Sequence, residues 1–210
     1  MKGTGDERMS EESGMPAVPV ETDARSPKKP KLLLSALLGL ILLTACAVGG
    51  VWVYNETTLQ KPLQRVLLAD PRNHVVKAKA HFDGWIDTHS VVFDLADVTG
   101  DSSQMDMFRV LLEFAKEQKD HQYQRIVLAA YGQKKFTVPG DYFQQLGREY
   151  DTQNPVYTIR TFSHHVSTMD GAKPFPEPDG GLLWVLKEEM EQFNDFNKRW
   201  YLDDFAARHK

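Results

Sequence analysis

The feature that most constrains this chain is an unbroken apolar run. Residues Leu32 to Tyr54 read LLLSALLGLILLTACAVGGVWVY, with no charge and no proline. A helix rises about 1.5 Å per residue, so about 20 apolar residues cross a hydrocarbon core about 30 Å thick. The run predicts one N-terminal transmembrane helix. Trp52 and Tyr54 close it, where amphipathic rings favour the headgroup layer. Gly49 and Gly50 would permit close helix–helix approach, although glycine is common in membrane helices in any case.

Flanking charge predicts the orientation. Arg25, Lys28, Lys29 and Lys31 crowd the N-terminal side, against Lys61 and Arg65 on the other. The positive-inside rule then places the N-terminus in the cytoplasm and the rest of the chain outside. A cleaved signal peptide would have a shorter apolar core and a shorter leader, so an uncleaved signal-anchor at a plasma (inner) membrane is expected. One alternative has its own signal. Leu43-Thr44-Ala45-Cys46 resembles a bacterial lipobox, which would make Cys46 a lipidation site. Against this, Ala47 to Tyr54 stays apolar where a lipoprotein turns polar. Cys46 is the single cysteine, so no intramolecular disulfide can staple the chain.

Residues 1–31 are rich in Glu, Ser, Pro, Gly and Lys and hold almost no large apolar side chains, the composition of a disordered cytoplasmic tail. Residues 1–54 carry six cations and six anions, which leaves 19 cations and 23 anions of the 25 and 29 beyond them. A weakly acidic domain does not fit nucleic-acid binding, which needs a basic face.

Beyond the membrane run, Leu59, Leu63, Val66 and Leu67 recur at helical spacing, and Asp70-Pro71 ends the segment. Residues 55–71 are expected to form a juxtamembrane stalk, and 72–210 a single soluble domain. Val76, Ala78, Ala80 and Phe82 alternate with Lys77, Lys79 and His81, the period of a half-buried strand. A second strand is predicted over His89 to Val98. Ser103 and Asp106 form a capping pair for a helix reaching about Lys119. Arg125–Tyr131 and Lys134–Val138 flank Gly132-Gln133, a composition suited to a type II′ hairpin whose apolar face would be Val127, Ala129, Tyr131, Phe136 and Val138. Asp141 to Tyr150 predicts a short helix. Val156 to Phe162, rich in β-branched and aromatic residues, predicts a last strand. A Pro- and Gly-rich loop follows. A final helix begins near Leu182, with Leu183, Leu186, Met190, Phe193 and Trp200 on one stripe. The expected fold class is α+β: two layers, a mostly antiparallel sheet of about five strands, packed by about three helices.

No Ser-His-Asp order, Walker loop, dinucleotide glycine pattern, CxxC or HExxH occurs in the chain. Neither a cofactor nor a metal is expected. Asp94 and Asp97 sit three apart on a strand and so on opposite faces, which suits turn chemistry better than a carboxylate pair. The polar constellation worth following is Asp151, Gln153, Asn154, Arg160, His164 and His165. Arg160 could bind an anion or anchor a carboxylate such as Glu149. As neighbours on a strand, His164 and His165 would point apart and make a poor metal pair. The function read from all this is a membrane-anchored, non-catalytic binding or assembly module of the bacterial envelope. Its partners would be the bilayer and an envelope or membrane protein, with self-association a further option. The rival is an enzyme with a small polar site around Asp151 to His165.

Overall fold

The computed structural model describes residues 30–84 and 87–209. The tail expected over 1–31 therefore falls, but for its last two residues, outside the described residues. The chain divides into two units, residues 1–42 and 43–210. Helix α1 spans Pro30–Asn55. Among the described residues it lies in the one helix long and apolar enough to cross a membrane. Its side chains from Leu37 to Gly50 are exposed, Leu43 by 70%, unlike those of a core helix.

Within the second unit the helical backbone does not stop at the end of the apolar run. A π-helical turn, Glu56–Gln60, leads directly into α2, Lys61–Ala69. Pro62 explains the turn: it has no N–H, so the carbonyl of Thr58 loses its donor four residues on. The side chain of Gln118 fills that vacancy, Nε2 donating to Thr58 O at 2.9 Å, while its Oε1 accepts from the Tyr123 hydroxyl at 2.6 Å. The segment expected as a stalk packs into the domain, with Leu59, Leu63 and Val66 in the core. Asp70 accepts from the Arg72 N–H and starts a 3-10 turn, Pro71–Val75.

The sheet has five strands in the order β1-β2-β3-β4-β5: Val76–Phe82, Ser90–Val98, Arg125–Ala130, Gln133–Pro139 and Ser167–Thr168. It is mixed rather than mostly antiparallel, because β2 and β3 run parallel. Between them lies α3, Gln104–Glu117, long enough to return the chain to the same end of the sheet. Its capping box is reciprocal: Asp106 N donates to Ser103 Oγ at 3.3 Å and Ser103 N donates to Asp106 Oδ2 at 2.8 Å.

β1 is an edge strand, and its outward N–H groups need partners. Two come from the end of α1 and from the π-helical turn: Phe82 N donates to Asn55 Oδ1 and Ala80 N to Gln60 Oε1, each at 2.9 Å. Tyr54 stacks on Phe82 with ring centroids 5.4 Å apart. Side-chain amides thus cover the exposed edge, a common way to keep a sheet from pairing with another chain.

The β3–β4 hairpin turns one residue earlier than its composition suggests. Tyr131 and Gly132 both take positive φ, 53° and 79°, the pattern of a type I′ turn, and Ala130 faces Gln133. Lys135 bulges between the pairs Leu128–Phe136 and Ala129–Lys134. The core face of β3 is consequently Ile126, Leu128 and Ala130, while Val127 and Ala129 pack with Val92 on the opposite face. A shift of one residue inverts a strand's faces, which is why the face expected for β3 is wrong while Phe136 and Val138 on β4 are placed correctly.

The largest correction concerns residues 156–162. They form helix α5, Pro155–Phe162, and the fifth strand is instead the two-residue Ser167–Thr168. Asn154, extended as a residue before proline must be, is the N-cap, accepting from Val156 N at 2.9 Å. Pro155 occupies the first helical turn, where its missing N–H costs nothing. β-branched composition yields here to a strong start signal and to burial of Thr158 and Phe162, one turn apart. Further helices follow the sheet's core strands: α4, Gly140–Glu149; α6, Leu182–Asn197; and α7, Asp203–Arg208, the last two joined by a π-helical turn over Lys198–Leu202. Between residues 72 and 209 the described residues thus hold five α-helices, α3 to α7, where about three were expected.

In α6 the buried stripe is Glu189, Phe193, Phe196 and Trp200, with Gln192, Asn197 and Tyr201 beside it. Phe193 and Trp200 are core residues as expected, whereas Leu183 is 82% exposed and Met190 also lies outside. Trp200 reaches under the sheet and donates from Nε1 to Ala129 O at 3.1 Å.

Candidate functional site

α4 owes its position to two glycines. A Cβ on Gly140 would lie 1.8 Å from Tyr123 O, and one on Gly147 would lie 2.1 Å from Ala115 O. A side chain at Gly147 would push α4 off α3, and one at Gly140 would push its first turn off the Tyr123 backbone. Seated as it is, α4 leaves a cleft of 410 Å³ between itself, α5, the 3-10 turn Ser163–His165 and α6. Tyr142, Glu149, Tyr157, His164, His165 and Glu189 carry most of its chemistry.

The residues expected to form the site divide. His164 and His165 both line the cleft, because they occupy a tight helical turn rather than a strand and need not point apart. Gln153 also lines it. Arg160 does not line it. Its Nε donates to Glu189 Oε2 at 2.6 Å, and Glu189's side chain is only 7% exposed. This is the structural ion pair weighed from the sequence, made with Glu189 of α6 instead of Glu149. Asn154 is spent on capping α5. Asp151 pairs with Lys116 at 2.7 Å on the surface.

Two aromatic planes shape the cleft. The His165 imidazole lies on the Tyr142 ring, centroids 3.6 Å apart and 13° from parallel. Burial, with the charges of Lys173 and His164 adding to it, holds His165 below its ordinary range, so it is neutral at pH 7. Burial pushes the Tyr142 phenol up. The His164 Nε2 atom is buried without a hydrogen-bond partner.

Among the described residues neither imidazole hydrogen-bonds a nucleophile or a carboxylate, and no group of three or more His, Cys, Asp or Glu side chains is placed to hold a metal ion. Leu146, Glu149, Gln153 and Thr158 also line a second cleft of 420 Å³, whose other walls include Met105, Leu112, Tyr150 and Ile159. Met105 at the second cleft and Tyr157 at the first expose apolar surface, and exposed Val156 stands between the lining residues Pro155 and Tyr157.

Sequence reasoning missed Tyr157, Glu177 and Glu189 as cleft residues. Only an assignment of helix to 155–162 would have brought Tyr157 and His164 toward one side. Compared with protein-family models, with curated proteins and with solved structures, the chain matches none.

Proposed function

We propose that this chain is a membrane-anchored, non-catalytic binding module of the bacterial cell envelope, and that it grips a protein partner through the two clefts beside α4 and α5. The observation that carries this reading is their adjacency. A polar cleft and a mostly apolar one share four wall residues, with exposed Met105, Val156 and Tyr157 around them. Apolar anchors set in a polar rim are the usual anatomy of a protein–protein contact. A catalytic reading would call for a base held against a nucleophile, and the two histidines have no such neighbour.

The arrangement of flanking cations supports a cytoplasmic N-terminus with the domain on the outer face of a plasma membrane. A phosphatase fused after Lys210 is then active in cells; a silent fusion would reverse the orientation. Loss of palmitate label on Cys46→Ser would replace the anchor by a lipoprotein.

The direct test is a photo-crosslinking residue at Val156, compared in intact membranes with one at Leu68, which is 85% exposed and lines neither cleft. A discrete adduct from position 156 alone supports the module. Adducts from neither position, or equal adducts from both, refute it.

A further inference from the structure

A third crevice lies where the membrane helix meets the sheet. It has a volume of 540 Å³ and is lined by Val51, Trp52 and Asn55 of α1, by His81 and Phe82 of β1, by Asp83 and by Lys134 of β4. Its position is set by the contacts that hold β1 to the helix: the Asn55 and Gln60 caps and the Tyr54–Phe82 stack. These contacts hold the end of β1 at the level of Trp52. That is the level at which an apolar run ending in Trp52 and Tyr54 leaves the hydrocarbon core.

The crevice has the chemistry of that layer. Its helix wall is apolar, and Trp52 is exposed. On the domain side Lys134 and Arg125 both pair with one nearly buried carboxylate, Asp83. Two cations on one anion leave a net positive charge, and both cation side chains remain about half exposed. The exposed His81 lines the crevice beside them, its Nδ1 donating to Phe82 O at 2.8 Å.

We infer that the crevice is a lipid seat: a phosphodiester headgroup of the surrounding bilayer enters between α1 and β1, its phosphate held by Lys134 and Arg125 and its glycerol end against Val51, Trp52 and Phe82. A domain seated in this way prefers anionic lipid. This rests on the membrane-anchor reading above.

The test uses the full chain, with Cys46→Ser, in vesicles of phosphatidylcholine with and without phosphatidylglycerol. A fluorophore is placed on His81→Cys or, as control, on Asp101→Cys beyond the opposite end of the sheet. Lipid carrying a nitroxide on its headgroup serves as quencher. Strong quenching at 81 and little at 101 is the expected result. Each basic side chain near an anionic surface favours it about fivefold, so Lys134→Gln should weaken the enrichment of phosphatidylglycerol around the protein by about that factor. Circular dichroism of the same variant establishes that the fold is kept. Equal quenching at 81 and 101 in a chain that resists carbonate extraction overturns the lipid seat and leaves the anchor standing. Release of the chain by carbonate overturns both. An unchanged lipid preference in a folded Lys134→Gln overturns the assignment of the phosphate contact.

Discussion

A fragment beginning at Arg72 should fail to fold, while one beginning at Asn55 should fold. The difference between them is the helical segment 55–71. Leu59 and Leu63 are fully buried and Val66 nearly so. Burying a large aliphatic side chain is worth about 1.5–3 kcal/mol, which puts the three together at roughly 5–9 kcal/mol as an upper bound. Removing the segment also strips the caps from Ala80 N and Phe82 N and leaves Gln118, itself buried, without its acceptor. Each lost hydrogen bond adds about 1 kcal/mol. A domain of this size has a net stability of about 5–15 kcal/mol, so the loss is comparable to the whole. Urea unfolding followed by circular dichroism, with amide proton spectra of the native state, measures both fragments. In the longer one Leu63→Ala should lower stability by about 2–5 kcal/mol. The reasoning is refuted if residues 72–210 unfold cooperatively at the same urea midpoint as 55–210, for then the helix only tethers.

Phe193→Ala should cost about 3–5 kcal/mol, because its ring meets Phe108 edge-on at 5.1 Å in the core, whereas Leu183→Ala should change stability by no more than about 0.5 kcal/mol; chemical denaturation reads both. Arg160→Met should destabilise by roughly 3–5 kcal/mol by leaving the Glu189 carboxylate buried and unpaired, while the double change Arg160→Met with Glu189→Leu should recover most of that loss in the same assay. Stability should fall as pH drops below about 6.5. The unfolded chain protonates His165 at its ordinary value of 6.5, the folded chain only lower, so between the two the unfolded state holds more protons. His165→Gln should flatten the urea midpoint between pH 7 and pH 5, and a slope unchanged by it would assign the effect to another group.

What could be read from the residues depended on whether local and tertiary signals agreed. The alternation at Val76–Phe82 places every buried side chain of β1, and Ser103 with Asp106 marks the start of α3, because period and capping are local properties that packing here reinforces. The β3–β4 hairpin was legible as a hairpin but not in register. Tyr131 takes a left-handed conformation that no rule of composition favours for tyrosine, and that single φ moves the turn. In α6 the spacing of Phe193 and Trp200 was visible, yet the stripe continues through Glu189, which Arg160 makes buriable; a charge whose partner lies 29 residues away cannot be recognised as a core residue.

The cleft failed to show for a related reason, and one misreading propagated into it. Taking 156–162 as a strand puts His164 and His165 on opposite faces and leaves no common site. With Asn154 and Pro155 opening a helix, the same two residues fall in the turn that ends it, and both line the cleft. Its remaining wall comes from Tyr142 on α4 and Glu189 on α6, and Gly140 and Gly147 set where α4 stands by letting it lie against the backbone of Tyr123 and Ala115. Two glycines with no side chain to interpret thus help decide where the polar cleft assembles. By the same argument Gly147→Ala, which removes no contact at all, should distort both clefts more than loss of either histidine.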